Sequence, residues 1–233
     1  SDKYKDQERA YSTYNSMYGE VKIPGIDGLK YRLNLGLSYR QDNTGSYTGE
    51  GVFSSTTTTP SSAEITNSIT TDYTIENLLT YDHTFAEKHK INAVALYSAE
   101  QTSYDKSDIA ATGIPDDALQ YYNLGDETGT ITITPGNQNY YKEGLLSWMG
   151  RVMYSYNDKY MLSAAIRSDG SSRLAKGHKW HTYPAISAGW NISKESFMQN
   201  INWLDNLKLR VGYGETSNQA VSPYSTLGLL STR

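Results

Sequence analysis

The side chains able to do chemistry are scattered along the chain, and no group of them has the spacing that a reaction requires. His178 and His181 stand three apart, which suits one helical face, but they flank Trp180 where a loop leads into a strand, so they make a poor metal pair. Zero cysteines exclude disulfides and thiolate-held metals. Acyl transfer calls for a G-x-S-x-G elbow, which does not occur. Glycoside hydrolysis needs two carboxylates held about 5 to 9 Å apart. Asp116, Asp117, Asp126 and Glu127 fall instead in a long polar stretch, where they read as solvated or calcium-brushing groups. The amides of Asp169-Gly170-Ser171-Ser172-Arg173 could cradle an anion, yet Gly and Ser at a strand end commonly serve a turn. Gly212-Tyr213-Gly214 lacks the third glycine and following helix of a dinucleotide fingerprint and reads as strand interior. The expectation is no enzyme, no metal and no cofactor.

Two sets of residues remain as candidates. Arg32, Arg40, Arg151, Arg167, Asp169, Lys208 and Arg210 fall on the polar side of alternating runs and could line a channel. The plainer expectation is that they pair with neighbours, because an unpaired buried charge is costly. Tyr121, Tyr122 and Trp180, placed in loops, could stack on a sugar ring or pack the loops together.

The elements that carry these residues are strands. Leu29, Tyr31, Leu33, Leu35, Leu37 and Tyr39 alternate with Lys30, Arg32, Asn34, Gly36, Ser38 and Arg40. From 145 to 170 a hairpin turns at Asn157-Asp158, with Leu146, Trp148, Val152, Tyr154, Tyr156, Tyr160, Leu162, Ala164 and Ile166 on one face. Further period-two runs at 73–81, 91–104, 181–192 and 207–214, with a weaker one within 9–21, bring the total to about eight. The chain reads as all-β, an antiparallel up-and-down meander. Short connections at 24–28, 85–90 and 157–159 alternate with long ones at 41–72 and 105–142. That puts tight turns at one end and long loops at the other, as in outer-membrane barrels.

Composition agrees with an interface protein. Tyrosine numbers 21 of 233 residues against three phenylalanines, a bias toward rings with a polar tip. The outward aromatics sort into two belts: Tyr31, Tyr81, Tyr154, Tyr156, Tyr160 and Trp190 toward the short turns, and Tyr39, Tyr73, Trp148 and Tyr213 toward the long loops. A net charge of −4, with 21 basic and 25 acidic residues intermixed, offers no stripe for nucleic acid. No window supplies the roughly 18 to 20 apolar residues of a spanning helix, which leaves strand spanning open. The segment 54–62 is hydroxyl-rich and reads as a mobile loop tip, and 194–206 carries Phe197, Ile201 and Leu204 at helical spacing, predicting a short helix at the short-turn end. The rival architecture is a soluble β-sandwich, a surface module that binds glycans, whose strands also alternate.

Three ordered stretches then add what periodicity cannot: GRVMYSYNDKYMLSAAIRSDGSSRL from Gly150, KWHTYPAISAGWNISKESF from Lys179 and NWLDNLKLRVGYGETSNQ from Asn202. They resemble the distal barrel of the SusC/RagA family of TonB-dependent outer-membrane transporters. Weaker echoes lie at GLKYRLNLGLSY from Gly28, YTIENLLTYDHTF from Tyr73 and TGIPDDALQYYNL from Thr112. The resemblance implies an outer-membrane barrel of a Gram-negative bacterium, commonly of about 22 strands, in contact with lipid. It further implies an N-terminal plug through which TonB acts, and a SusD-like surface lipoprotein that hands over oligosaccharide or peptide cargo. No signal peptide, TonB-contacting segment, plug or terminal aromatic at Arg233 is seen, so the chain reads as an internal piece of barrel, 1–233, with long external loops at 41–72 and 105–142 and a periplasmic helix or turn at 194–206.

Overall fold

A computed structural model describes residues 2–52, 59–175, 177–201 and 203–216. These form nine strands: β1 (Tyr4–Lys22), β2 (Leu29–Thr48), β3 (Ser62–Phe85), β4 (His89–Thr112), β5 (Ile131–Thr132), β6 (Asn139–Tyr156), β7 (Tyr160–Ser171), β8 (Trp180–Asn191) and β9 (Lys208–Gly214). All join one sheet in the order β1-β2-β3-β4-β6-β7-β8-β9, with the two-residue β5 pairing to β4. This is the expected meander, since each strand lies beside its predecessor in the chain, except that β6 pairs with β4 past the short β5. The sandwich is not formed: the described strands make one sheet, and its apolar face stays open, with Val152, Leu162 and Ile186 each about half exposed.

Two of the tight turns follow from local geometry. Asn157 and Asp158 both take φ of +53°, and Ala86 and Glu87 take +48° and +57°, the left-handed pair whose twist matches antiparallel strands. Their closing hydrogen bonds run from Lys159 N–H to the Tyr156 carbonyl at 2.9 Å and from Lys88 N–H to the Phe85 carbonyl at 3.1 Å.

Three expectations are corrected. The strands run well past their apolar stretches, so the expected loop at 41–72 contracts to 49–61 and that at 105–142 to 113–138, with β5 inside it. Backbone pairing needs no greasy face, and beyond Tyr39 the residues Gln41 and Asn43 continue β2 without the alternation that marks it. The helix expected in 194–206 is instead two single 3-10 turns, Ile192–Lys194 and Ser196–Met198, because Glu195 between them is extended at φ −78°, ψ 149°. Trp180 lies in no loop; it opens β8. The hydroxyl-rich tip from 54 to 58 and the terminal Arg233 lie outside the described residues.

The chain divides into two compact units. One comprises 1–15, 37–73 and 102–142. Its buried cluster is Tyr47, Ala63, Ala111 and Ile114, with Leu119, Tyr121 and Leu124 of the long connection packed against it. Tyr47 is wholly inaccessible, and its hydroxyl donates to Asp117 at 2.6 Å, which satisfies the one polar atom that burial would penalise. The other unit comprises 16–36, 74–101 and 143–233 and holds the remaining lengths of β1 to β4 together with most of β6 and all of β7 to β9.

Candidate functional site on the two faces of the sheet

The register of β6 to β9 sorts side chains into rows. On one face Tyr156 stands opposite Tyr160, Tyr160 opposite Trp190 and Trp190 opposite Leu209. The next rows read Tyr154, Leu162, Ala188, Val211 and then Val152, Ala164, Ile186, Tyr213. Every one of these twelve positions is apolar or aromatic. The opposite face carries Ser155, Met161, Gly189, Arg210, then Met153, Ser163, Ser187, Gly212, and further along Ser147, Asp169, His181. A single-residue slip would exchange the two sets, so the pattern itself holds the register.

Of the predicted charges, Arg151, Arg167, Asp169, Lys208 and Arg210 fall on the polar face by register, and Arg32, Arg40 and Arg167 are answered on their own strand. Arg167 donates from Nε to both Asp169 oxygens at 3.0 and 2.9 Å and from its terminal nitrogen to Ser147 at 3.3 Å. Arg40 forks onto Asp42, with contacts between 2.8 and 3.1 Å. Arg32 donates to Asn34 at 2.7 Å and lays its guanidinium 3.9 Å from the centre of the Tyr18 ring. Residues two apart on a strand share a face and lie about 7 Å apart at the backbone, within reach of an arginine fork. Arg151 Nε is buried without a partner. Arg210 borders a cavity of about 1140 Å³ on the same face, lined also by Asp82, Asn92, Ser163 and Ser187. Lys208, opposite Asn191, is exposed. The seven residues therefore do not converge on one ligand; they spread along a polar wall, with Arg167 and Asp169 the one pair brought together.

Of the aromatic candidates Tyr121 is packed, whereas Tyr122 and Trp180 keep more than half of their surface exposed. Tyr121 lies against Gly45 so closely that a Cβ there would stand 2.5 Å from the ring, and its hydroxyl accepts from the Gln7 side-chain amide at 2.6 Å. The Tyr121 and Tyr122 ring centroids are 4.5 Å apart, and Lys5 Nζ donates to the Tyr122 hydroxyl at 2.5 Å. Trp180 covers Gly170 on the apolar face, where a Cβ would meet its ring at 2.6 Å. Sequence reasoning passed over Asp108, nearly inaccessible, which accepts from Thr66 at 2.6 Å and from Asn137 at 3.2 Å and so ties the turn Pro135–Asn137 to β4. An aspartate in a hydrophilic run gives no signal that it will be enclosed.

No protein-family model matches the chain. Among curated proteins it is 32% identical over 232 residues to TonB-dependent receptor P3 of Formosa agariphila, covering 97% of this chain and 22% of that protein. To TonB-dependent receptor P26 of the same organism it is 39% identical over 155 residues, 66% of this chain and 16% of the relative. To TonB-dependent receptor SusC of Bacteroides thetaiotaomicron it is 42% identical over 77 residues, 33% of this chain and 8% of that protein. The chain spans about a fifth of the length of the curated relatives it matches over nearly all of itself. Among solved structures, the RagAB peptide importer in its open-open state superposes with a TM-score of 0.83 at 20% identity, covering 97% of this chain and 24% of that one. The meander with its apolar face, matched in fold by that superposition, agrees with the receptor relatives: the chain belongs to the TonB-dependent receptors, as part of the β-barrel that these proteins set in the outer membrane of Gram-negative bacteria.

Proposed function

We propose that the protein of which this chain is a part imports a nutrient across the outer membrane, and that these residues supply a stretch of the barrel wall. The observation that carries the reading is the two-faced register of β6 to β9, with three successive rows wholly apolar or aromatic on one side and Arg151, Arg167, Asp169, Lys208 and Arg210 on the other. The apolar side meets lipid. The polar side, with its paired charges, faces the lumen, where Arg32, Arg40, Arg151, Arg167, Asp169, Lys208 and Arg210 set a hydrated surface. The long connections at 49–61 and 113–138 extend outward, and the short turns and the segment 192–206 lie on the periplasmic side. Cargo is an oligosaccharide or a peptide delivered by a SusD-like surface lipoprotein, and energy arrives from TonB through a plug elsewhere in the intact protein.

The test is uptake by whole cells. Labelled oligopeptide and oligosaccharide pools are offered to cells with and without the gene, and again to cells lacking TonB. Loss of one pool in both backgrounds supports the reading and names the cargo class. Uptake that continues unchanged without TonB refutes an energised importer.

A further inference from the structure

The connection between β8 and β9 differs from the tight turns on its side of the sheet. It runs from Ile192 to Leu207 and exposes two large rings, Phe197 at 63% and Trp203 at 83%. Rings so open to water need a reason, and the position of this segment supplies one. Glu195 is its fastening point: one carboxylate oxygen accepts from the Tyr160 hydroxyl at 2.5 Å and from Trp190 Nε1 at 3.0 Å, and the other from Lys159 Nζ at 3.1 Å. Tyr160 and Trp190 stand opposite each other in the last row of the apolar face. The fastening therefore ties the segment to the apolar rim of the sheet rather than to its charged side. A second tie, Lys194 to Asp158 at 3.5 Å, binds it to the neighbouring hairpin turn.

Resting on the reading that the apolar face meets lipid, we infer that the segment 192–206 is a membrane anchor, lying along the periplasmic leaflet with Phe197 and Trp203 in the boundary between phospholipid headgroups and acyl chains. The occupant of these exposed rings is phospholipid, because their segment is fastened to the aromatic row in which the apolar face ends. Indole and phenyl rings settle at that depth, where the ring is apolar and the indole N–H stays wet. Such a segment lies in the interface without crossing it. The Glu195 fastening sets its height: Tyr160 and Trp190 are themselves belt residues, so what they hold sits at the belt.

The test places a nitroxide at Phe197→Cys and at Trp203→Cys in the intact receptor, on a cysteine-free background, in vesicles of phosphatidylethanolamine and phosphatidylglycerol. Collision with oxygen, which concentrates in lipid, is compared with collision with a water-soluble nickel chelate. Val152→Cys, from the middle of the apolar face, serves as the reference. The expected result is that oxygen exceeds the chelate at all three positions, with Val152 deepest. Chelate in excess at 197 and 203 while Val152 remains oxygen-rich overturns the anchor and leaves the wall intact. Labels at 197 and 203 that are immobile and reached by neither reagent also overturn it, because protein then covers the segment. A Val152 label that favours the chelate brings down the underlying reading. Glu195→Gln should raise the mobility of the 197 label and shift it toward the chelate; no change overturns the role given to Glu195.

Discussion

Arginine placed on two adjacent residues of β6 separates lipid contact from mere exposure. Val152 points to the apolar face and is 51% exposed; Met153 points to the polar face and is 39% exposed. If water bathed both faces, either substitution would cost no more than about 0.5 kcal/mol, as surface changes usually do. Depth alters the balance for Val152. It lies four residues from Trp148 and four from Tyr156, and those eight steps span about 27 Å along the strand at ~3.4 Å per residue. At a tilt near 40° that is about 20 Å along the membrane normal, so Val152 sits close to the midplane of an apolar band about 25 Å tall. There an arginine costs about 2 to 4 kcal/mol, a roughly thirty-fold to several-hundred-fold shift in the folded ratio. The measurement is guanidinium unfolding of the intact receptor in phospholipid vesicles, followed by tryptophan fluorescence, for Val152→Arg and Met153→Arg side by side. The expected result is a large loss for the first and a small one for the second. Equal losses would refute the assignment of lipid to the apolar face.

Three further outcomes follow from contacts described above. Gly45→Ala drives a methyl into the Tyr121 ring and should cost about 1 to 3 kcal/mol, seen as faster proteolytic cutting between 113 and 130. Arg167→Met leaves the largely enclosed Asp169 carboxylate without its fork and should destabilise by about 1 to 3 kcal/mol, with Asp169→Asn in the same chain recovering part of the loss. The hydrogen bond from Tyr160, then those from Trp190 and Lys159, hold the Glu195 carboxyl below its ordinary 4.5. A carboxyl lowered on folding stabilises fully above that ordinary value and loses the contribution as pH falls through the folded one. Label mobility at 197 should therefore rise on acidification below about 4.5, and Glu195→Gln should remove that dependence.

What could be read in advance was wherever one face must be apolar. β2 declares itself from Leu29 to Tyr39, and β6 and β7 declare their turn and register through Tyr156, Asn157, Asp158 and Tyr160, because a slip would bury the wrong set. Legibility stops where that demand stops. Past Tyr39 the apolar alternation of β2 lapses until Tyr47, and pairing with its neighbours continues the strand where no side-chain period reports it. The cover over Tyr47 comes from Leu119, Tyr121 and Leu124, some 70 residues later, a partnership that exists only after folding. Trp180 misled in another way: a tryptophan among Gly, His and Lys looks like a loop residue until Gly170 is found opposite it. Alternation alone groups the charges on the polar side of their strands, but the partners of Arg32, Arg40 and Arg167, two residues along the same strand, mattered more than any shared cavity.

The long paired extensions of β2, β3 and β4 also constrain how such a gene can change. A single inserted codon within 41–46 would turn Tyr47 from its enclosed cluster to the opposite side and reverse the positions after it, unless a β-bulge absorbed the extra residue. Without a bulge, length is gained or lost there by even numbers of codons, and in step on both arms of a hairpin. The connections 49–61 and 113–138 carry no such parity and tolerate odd changes, so variation among relatives should accumulate in whole pairs along the strands and freely at their tips.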